Sequence, residues 1–216
     1  MSLELVVLVS GSGTNLQAIL DAIGDRTLDA RLKLVVSNVA GVKALARAEA
    51  AGVPTRVLPH KEFGSRQAFD AALLEVVRGA LDDPDRGVVV LAGFMRILTP
   101  AFLAAFRERV VNIHPALLPA FPGTHAQRQA LDYGVAVTGC TVHLVDAGTD
   151  TGRILAQAAV PVLPGDSEET LTARILRREH QLLPAVLQWL ATGALRIVDG
   201  RPVYDGVSPS VGVVAS

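Results

Sequence analysis

The sequence predicts an α/β fold: a doubly wound, mostly parallel twisted sheet with helices on both faces. Short runs rich in β-branched residues alternate along the chain with longer stretches of helical periodicity. The runs are continuously apolar rather than alternating, which marks strands buried on both faces, as in a parallel sheet covered by crossover helices. Composition agrees, since half of the 216 residues are hydrophobic and only 19% are charged, enough to build a sizeable core.

The elements follow in order. LELVVLVS is the first strand, TNLQAILDAI the first helix, RLKLVVS the second strand and KALARAEAAG the second helix. TRVLP, RQAFDAALLEVVRGAL and GVVVLAG continue as strand, helix and strand, and VVNIH at Val110 to His114 reads as another inner strand. A proline-rich loop spans Pro115 to Gly123, a short helix His125 to Tyr133, and two strands, about Ala136 to Val145 and Ile154 to Val162, flank the loop DAGTDTGR. A long helix starts near Asp166 or Ser167, where Glu169 can complete a capping interaction, and Pro184 is expected to kink it. No linker or composition break appears, so residues 1–198 read as one domain and 199–216 as a tail, a short hairpin followed by a frayed end.

Bulk properties exclude several classes. Twenty basic residues against 21 acidic ones leave a net charge of −1, with no electrostatic footprint for nucleic acid or an anionic membrane. Cys140 is the lone cysteine, so no intrachain disulfide can form. The opening MSLELVV lacks the basic and apolar segments of a signal or span. A cytoplasmic setting is expected. His60, His125, His143 and His180 show no metal-ligand spacing, and no metal is expected. Cys140, within a strand, reads as a small buried hydrophobe rather than a nucleophile.

Three places carry chemistry. SGSGTN, Ser10 to Asn15, joins the first strand to the first helix, where open N–H groups and glycines suit an anion. Leu16 stands where the dinucleotide fingerprint needs a third glycine, and the second strand ends in Ser37-Asn38 instead of an acid, so one phosphate fits better than two. Asn112 and His114 sit two apart at a strand end, about 6.6 Å along the same face, and Pro115 stops the ladder there. The loop from Asp146 to Gly152 holds two acids that no core would need. A carboxylate brought to His114 favours the imidazolium and fixes the ring's orientation. Asp150 is the preferred acid and Asp146 the alternative. Glu179 interrupts the apolar stripe of the last helix, an inward acid that suits a ligand amine.

Taken together, SGSGTNLQAI, LAGFMRILTP, NIHPALLPAFPG, AQRQAL, GCTVHLVDAGTDTG and DSEETLTARILRREH resemble the glycinamide ribonucleotide formyltransferases, folate-dependent enzymes of purine synthesis, over nearly the whole chain. The resemblance implies transfer of the formyl group of 10-formyltetrahydrofolate, a co-substrate, to the amine of 5-phosphoribosylglycinamide, giving formylglycinamide ribonucleotide and tetrahydrofolate. It implies that Asn112, His114 and Asp150 are catalytic. Gly13, Thr14, Asn15, Leu176, Arg177, Arg178 and Glu179 would hold the ribonucleotide. Arg66, Met95, Arg96, Ile97, Leu98, Asn112, Asp146, Ala147, Gly148, Thr149 and Asp150 would surround the folate. The two small molecules are the expected partners, with no nucleic acid or membrane, and a homodimer is left open.

Relatives that hydrolyse formyltetrahydrofolate or formylate methionyl-tRNA carry additional domains for which this chain has no room. A non-catalytic folate- or nucleotide-binding regulator on the same fold is the alternative of a different class, and the intact trio argues against it. A nicotinamide oxidoreductase is disfavoured by Leu16 and Asn38.

Overall fold

A computed structural model describes residues 2–210. The frayed end expected at the C-terminus falls in residues 211–216, outside the described residues. The chain divides into two compact units, Met1–Asn112 and Ile113–Ser216.

The first unit runs β1 (Leu3–Val9), α1 (Thr14–Gly24), β2 (Ala30–Ser37), α2 (Lys43–Ala50), β3 (Thr55–Val57), a single 3-10 turn at His60–Glu62, α3 (Arg66–Ala80), β4 (Val88–Leu91) and α4 (Pro100–Ala105). It ends within β5 (Val110–His114). The second unit continues with α5 (Ala126–Tyr133), β6 (Val137–Leu144), β7 (Ile154–Pro161), α6 (Glu168–Thr192), β8 (Leu195–Val198) and β9 (Arg201–Tyr204).

Among the described residues the strand order is β3-β2-β1-β4-β5-β6-β7 in a seven-stranded sheet, with β8 and β9 as a separate antiparallel pair. β1 pairs with β2 and β4, β2 with β3, and β4 with β5, all in parallel. β6 and β7 pair antiparallel, which makes the sheet mixed but mostly parallel. Five consecutive residues of β1, Leu5 to Val9, have no exposed surface, so both faces of that strand are covered. Burying each such side chain is worth about 1.5–3 kcal/mol.

Strand order reverses between β1 and β4, the place where an open parallel sheet leaves a crevice at its carboxyl ends. The turn Ser10–Gly13 leaves β1 there, and the segment after Leu91 leaves β4 beside it.

Helix ends follow side-chain chemistry. Ser65 caps α3 by accepting from the Ala68 N–H, and Thr99 caps α4 ahead of Pro100. At α6 the N-cap is Ser167, which accepts from the N–H of Thr170 while the Thr170 hydroxyl accepts from the Ser167 N–H. Glu169 does not complete the cap, because with Ser167 as N-cap it occupies the second helical position and Thr170 the third, from which a side chain reaches back. Asp166 is held instead by a two-pronged ion pair with Arg174, at 2.6 and 2.8 Å. The helix continues unbroken through Pro184 to Thr192.

The end of the described chain lies along β7. Tyr204 Oη donates to the Leu155 carbonyl at 2.6 Å, the Gln157 N–H donates to Pro209 at 2.9 Å, and Gln157 bridges Ser210 in parallel. No helix is long and apolar enough to cross a membrane among the described residues.

Candidate active site

In the first unit the Ser10–Asn15 turn is shaped by one close approach. Gly13 adopts φ 70°, and a Cβ there would stand 2.6 Å from the Cβ of Ala44 on α2, so only glycine fits. Gly13 is the N-cap of α1 and no side chain caps that helix, so Thr14 and Asn15 present its first turn at the carboxyl end of β1. Arg47 of α2, a residue that sequence reasoning missed, donates from Nε to the Ser12 carbonyl at 2.9 Å and steadies the turn. Its place in an amphipathic helix carried no signal of that contact.

Met95, Arg96, Ile97 and Leu98 follow β4. Met95 is 72% exposed and Ile97 50%, two apolar side chains left bare in one short segment, while Leu98 is buried beneath them. α3 holds this segment from below. Its Phe69 ring lies under the Arg96 guanidinium at 4.7 Å, and its buried Asp70 accepts the Thr99 N–H. Arg66 is exposed at the start of the same helix. Asn112, half-buried, closes the unit on β5 opposite Leu91.

The second unit contains the pair that sequence alone could not assemble. His114, 4% exposed at the end of β5, faces Asp150 across 3.3 Å from Nδ1 to Oδ2. Its Nε2 donates to the Phe121 carbonyl at 2.8 Å. Both ring nitrogens therefore face oxygen atoms, which fixes the orientation of the ring. Along β5, strand alternation gives Asn112 and His114 the same side.

Asp150 reaches this position through a bent loop. It sits at φ 54°, a left-handed conformation that Asp tolerates better than most side chains. Gly152 passes so close to Leu144 that a Cβ would lie 1.7 Å from its carbonyl oxygen. The carboxylate accepts the Gly123 N–H at 2.8 Å and faces Nε2 of His143 at 3.6 Å. Burial pushes the Asp150 carboxyl upward, but the hydrogen bond from His143, the Gly123 N–H and the charge of His114 outweigh it, and the group is held below the usual carboxylate range.

His143 is the second residue that sequence reasoning missed. It is fully enclosed, and its Nδ1 donates to the Leu144 carbonyl at 2.8 Å, which leaves Nε2 toward Asp150. The available signal was an ionisable side chain inside an otherwise apolar strand. Asp146 turns into its own loop, accepting the Gly148 N–H at 3.0 Å and the Thr151 hydroxyl at 2.7 Å. Ala147, Gly148 and Thr149 are exposed on that loop.

On α6, Leu176 and Arg178 are half-buried, Arg177 is exposed, and Glu179 is 4% exposed. Arg178 donates to Gln181 at 3.2 Å. Cys140 of β6 has no exposed surface; burial first, and then the charge of Glu179, pushes its thiol up to about 12, far from nucleophilic. No group of three or more His, Cys, Asp or Glu side chains is arranged to hold a metal ion among the described residues.

The formyl transferase family profile matches residues 3–187. A trifunctional purine biosynthetic protein adenosine-3 of Drosophila pseudoobscura pseudoobscura is 52% identical over 197 residues, 90% of this chain, which spans 14% of that protein's length. The phosphoribosylglycinamide formyltransferase of Mycobacterium tuberculosis is 50% identical over 210 residues, covering 97% of this chain and 94% of that one. The crystal structure of glycinamide ribonucleotide transformylase 1 from Symbiobacterium toebii superposes with a TM-score of 0.89 at 47% identity, over 94% of each chain. By sequence over its length and by fold, the chain belongs to the phosphoribosylglycinamide formyltransferase family.

Proposed function

We propose that the chain transfers the formyl group of 10-formyltetrahydrofolate to the amine of 5-phosphoribosylglycinamide, yielding formylglycinamide ribonucleotide and tetrahydrofolate in purine biosynthesis. The observation that carries this reading is the enclosed His114–Asp150 pair at 3.3 Å, on a chain whose full-length relatives bear that enzyme's name. The activity is assigned to residues 1–198, with the tail 199–216 outside the chemistry.

The amine attacks the formyl carbon, and the oxygen of the resulting tetrahedral species needs hydrogen-bond donors. The Asn112 amide and protonated His114 supply them, one such donor being worth about 2.7–4 kcal/mol. The substrate oxygen competes with the Phe121 carbonyl for the Nε2–H of His114. Asp150 keeps the ring charged and organises a water that carries the proton from the attacking amine to the leaving nitrogen.

Gly13, Thr14 and Asn15 take the phosphate on the first turn of α1, where the helix dipole favours an anion. Leu176, Arg177 and Arg178 flank the ribonucleotide, and Glu179 receives its amine. Met95, Ile97 and Leu98 offer an apolar flank to the flat folate ring, with Arg66 and Arg96 for its carboxylates. Asn112 and the loop from Asp146 through Ala147, Gly148 and Thr149 to Asp150 border the same co-substrate. The proposed chemistry uses no metal.

The test is tetrahydrofolate release from 10-formyltetrahydrofolate with and without the ribonucleotide. Release only in its presence is expected. Release without the amine identifies a hydrolase, and binding of both ligands without release identifies a regulator.

A further inference from the structure

Ser10 opens the glycine turn, yet its side chain points away from that turn. Its Oγ–H donates to Oδ1 of Asn38 at 2.6 Å and its Oγ accepts the Met95 N–H at 2.9 Å. Its own N–H donates to the Gly93 carbonyl at 3.1 Å. One residue thus pins both ends of the Gly93–Met95 turn, where Gly93 takes φ 74°. Asn38 is buried at the end of β2, and its Nδ2 lies 3.1 Å from Nδ1 of His60, so the acceptor for Ser10 is itself fixed.

Three residues further on stands Gly13, which packing against Ala44 holds in place. The Gly11 carbonyl accepts the Ala44 N–H at 3.2 Å. Ser10 is therefore the joint between a turn locked to α2 and the segment that carries the exposed Met95 and Ile97, which α3 holds only further along, at Arg96 and Thr99. The position also explains Ser37-Asn38 at the end of β2, where a dinucleotide fold would carry an acid: Asn38 serves the strand beside it.

We propose that Ser10 is a positioning residue that sets the Met95–Leu98 segment relative to the Gly13–Asn15 turn, and so governs folate affinity without touching either substrate. The inference rests on the assignment of those two segments to the folate and the phosphate. A hydroxyl is required because one group must donate and accept at once, and the loss of both bonds is expected to cost roughly tenfold in folate affinity, about 1.4 kcal/mol.

The experiment is steady-state kinetics of the full chain with Ser10→Ala and Ser10→Thr, titrating each substrate at saturation of the other. For Ser10→Ala the KM for 10-formyltetrahydrofolate should rise about tenfold, with kcat within twofold of wild type, and Ser10→Thr should restore most of the loss. An unchanged folate KM, a fall in kcat alone, or equal damage in both variants overturns the inference. Should Ser10→Ala fail to fold, Asn38→Ala must raise the same KM, by less, since Oγ can still accept from Met95; no rise overturns the inference. Wild-type protein that does not turn over the two substrates overturns the functional reading and this inference with it. Wild-type turnover with an indifferent Ser10→Ala overturns only the inference.

Discussion

Asp150→Asn keeps the shape of the side chain and removes its charge. The carboxylate faces the His114 ring at 3.3 Å and His143 at 3.6 Å, with a hydrogen bond of 2.8 Å from Gly123. Two unit charges at the shorter separation attract by ~5 kcal/mol at an effective dielectric of about 20. That is a ceiling, because desolvating both groups consumes part of it. A loss of about 3–4 kcal/mol of transition-state stabilisation lowers kcat/KM by roughly 10²- to 10³-fold. The Gly123 N–H can still bond the amide oxygen, so the loop should stay folded and the melting temperature should move little. The assay is tetrahydrofolate release across a pH series, with circular dichroism as the control for folding. The sign follows from the depressed Asp150 carboxyl: its contribution is complete above about pH 4, the ordinary carboxylate value, and is lost only as pH falls through the lower folded value. Wild type should therefore show an acid limb that the Asn variant lacks. A variant whose rate and pH profile match wild type refutes the proposed role of Asp150.

Other outcomes follow from the same geometry. His143→Gln, which removes the Nε2 neighbour of Asp150, should lower kcat/KM by about tenfold, less than Asp150→Asn, and an effect confined to KM would count against it. Asn15→Ala should raise the KM for the ribonucleotide more than it lowers kcat, because a phosphate contact binds ground and transition states alike; the reverse pattern excludes a phosphate role. Cys140, enclosed and pushed to about 12, should resist a thiol reagent at neutral pH until denaturant is added, and labelling of the folded chain would contradict its placement. Asp166 is held far below the ordinary carboxylate range, chiefly by its hydrogen bonds with Arg174. Its stabilisation is present above about pH 4 and vanishes in stronger acid, so Asp166→Asn should lower the melting temperature at neutral pH and close the gap to wild type toward pH 2.

The fold was largely legible because its strands are continuous apolar runs, a signal that depends on burial alone. β5 occupies Val110–His114, the same residues the pattern marked, and α3 differs from its expected span by one residue. The elements without a forecast are the turn at His60–Glu62 and the six-residue α4, each too short to show a period. The misassigned cap at α6 came from a one-residue shift of the N-cap, which changes which side chain can reach back. At the site, the neighbours Asn112 and His114 could be read from strand alternation. The approach of Asp150 could not, since it depends on a left-handed backbone at Asp150 and on the tight passage of Gly152, neither of which a residue pattern displays. Of the two acids, Asp146 accepts hydrogen bonds within its own loop while Asp150 faces His114, a difference of path that the residue pattern does not display.

The pairing of the chain's end with β7 has a consequence outside catalysis. An outermost strand offers a row of unused N–H and carbonyl groups, and such a row templates the addition of strands from other molecules. Here the Leu155 carbonyl is taken by Tyr204 and the Gln157 N–H by Pro209, so this chain occupies part of the border where a neighbour could dock. Tyr204 and Pro209 thus cover two of the backbone groups along that margin, and a protein shortened before Tyr204 would keep its reacting groups while leaving the Leu155 carbonyl and the Gln157 N–H bare.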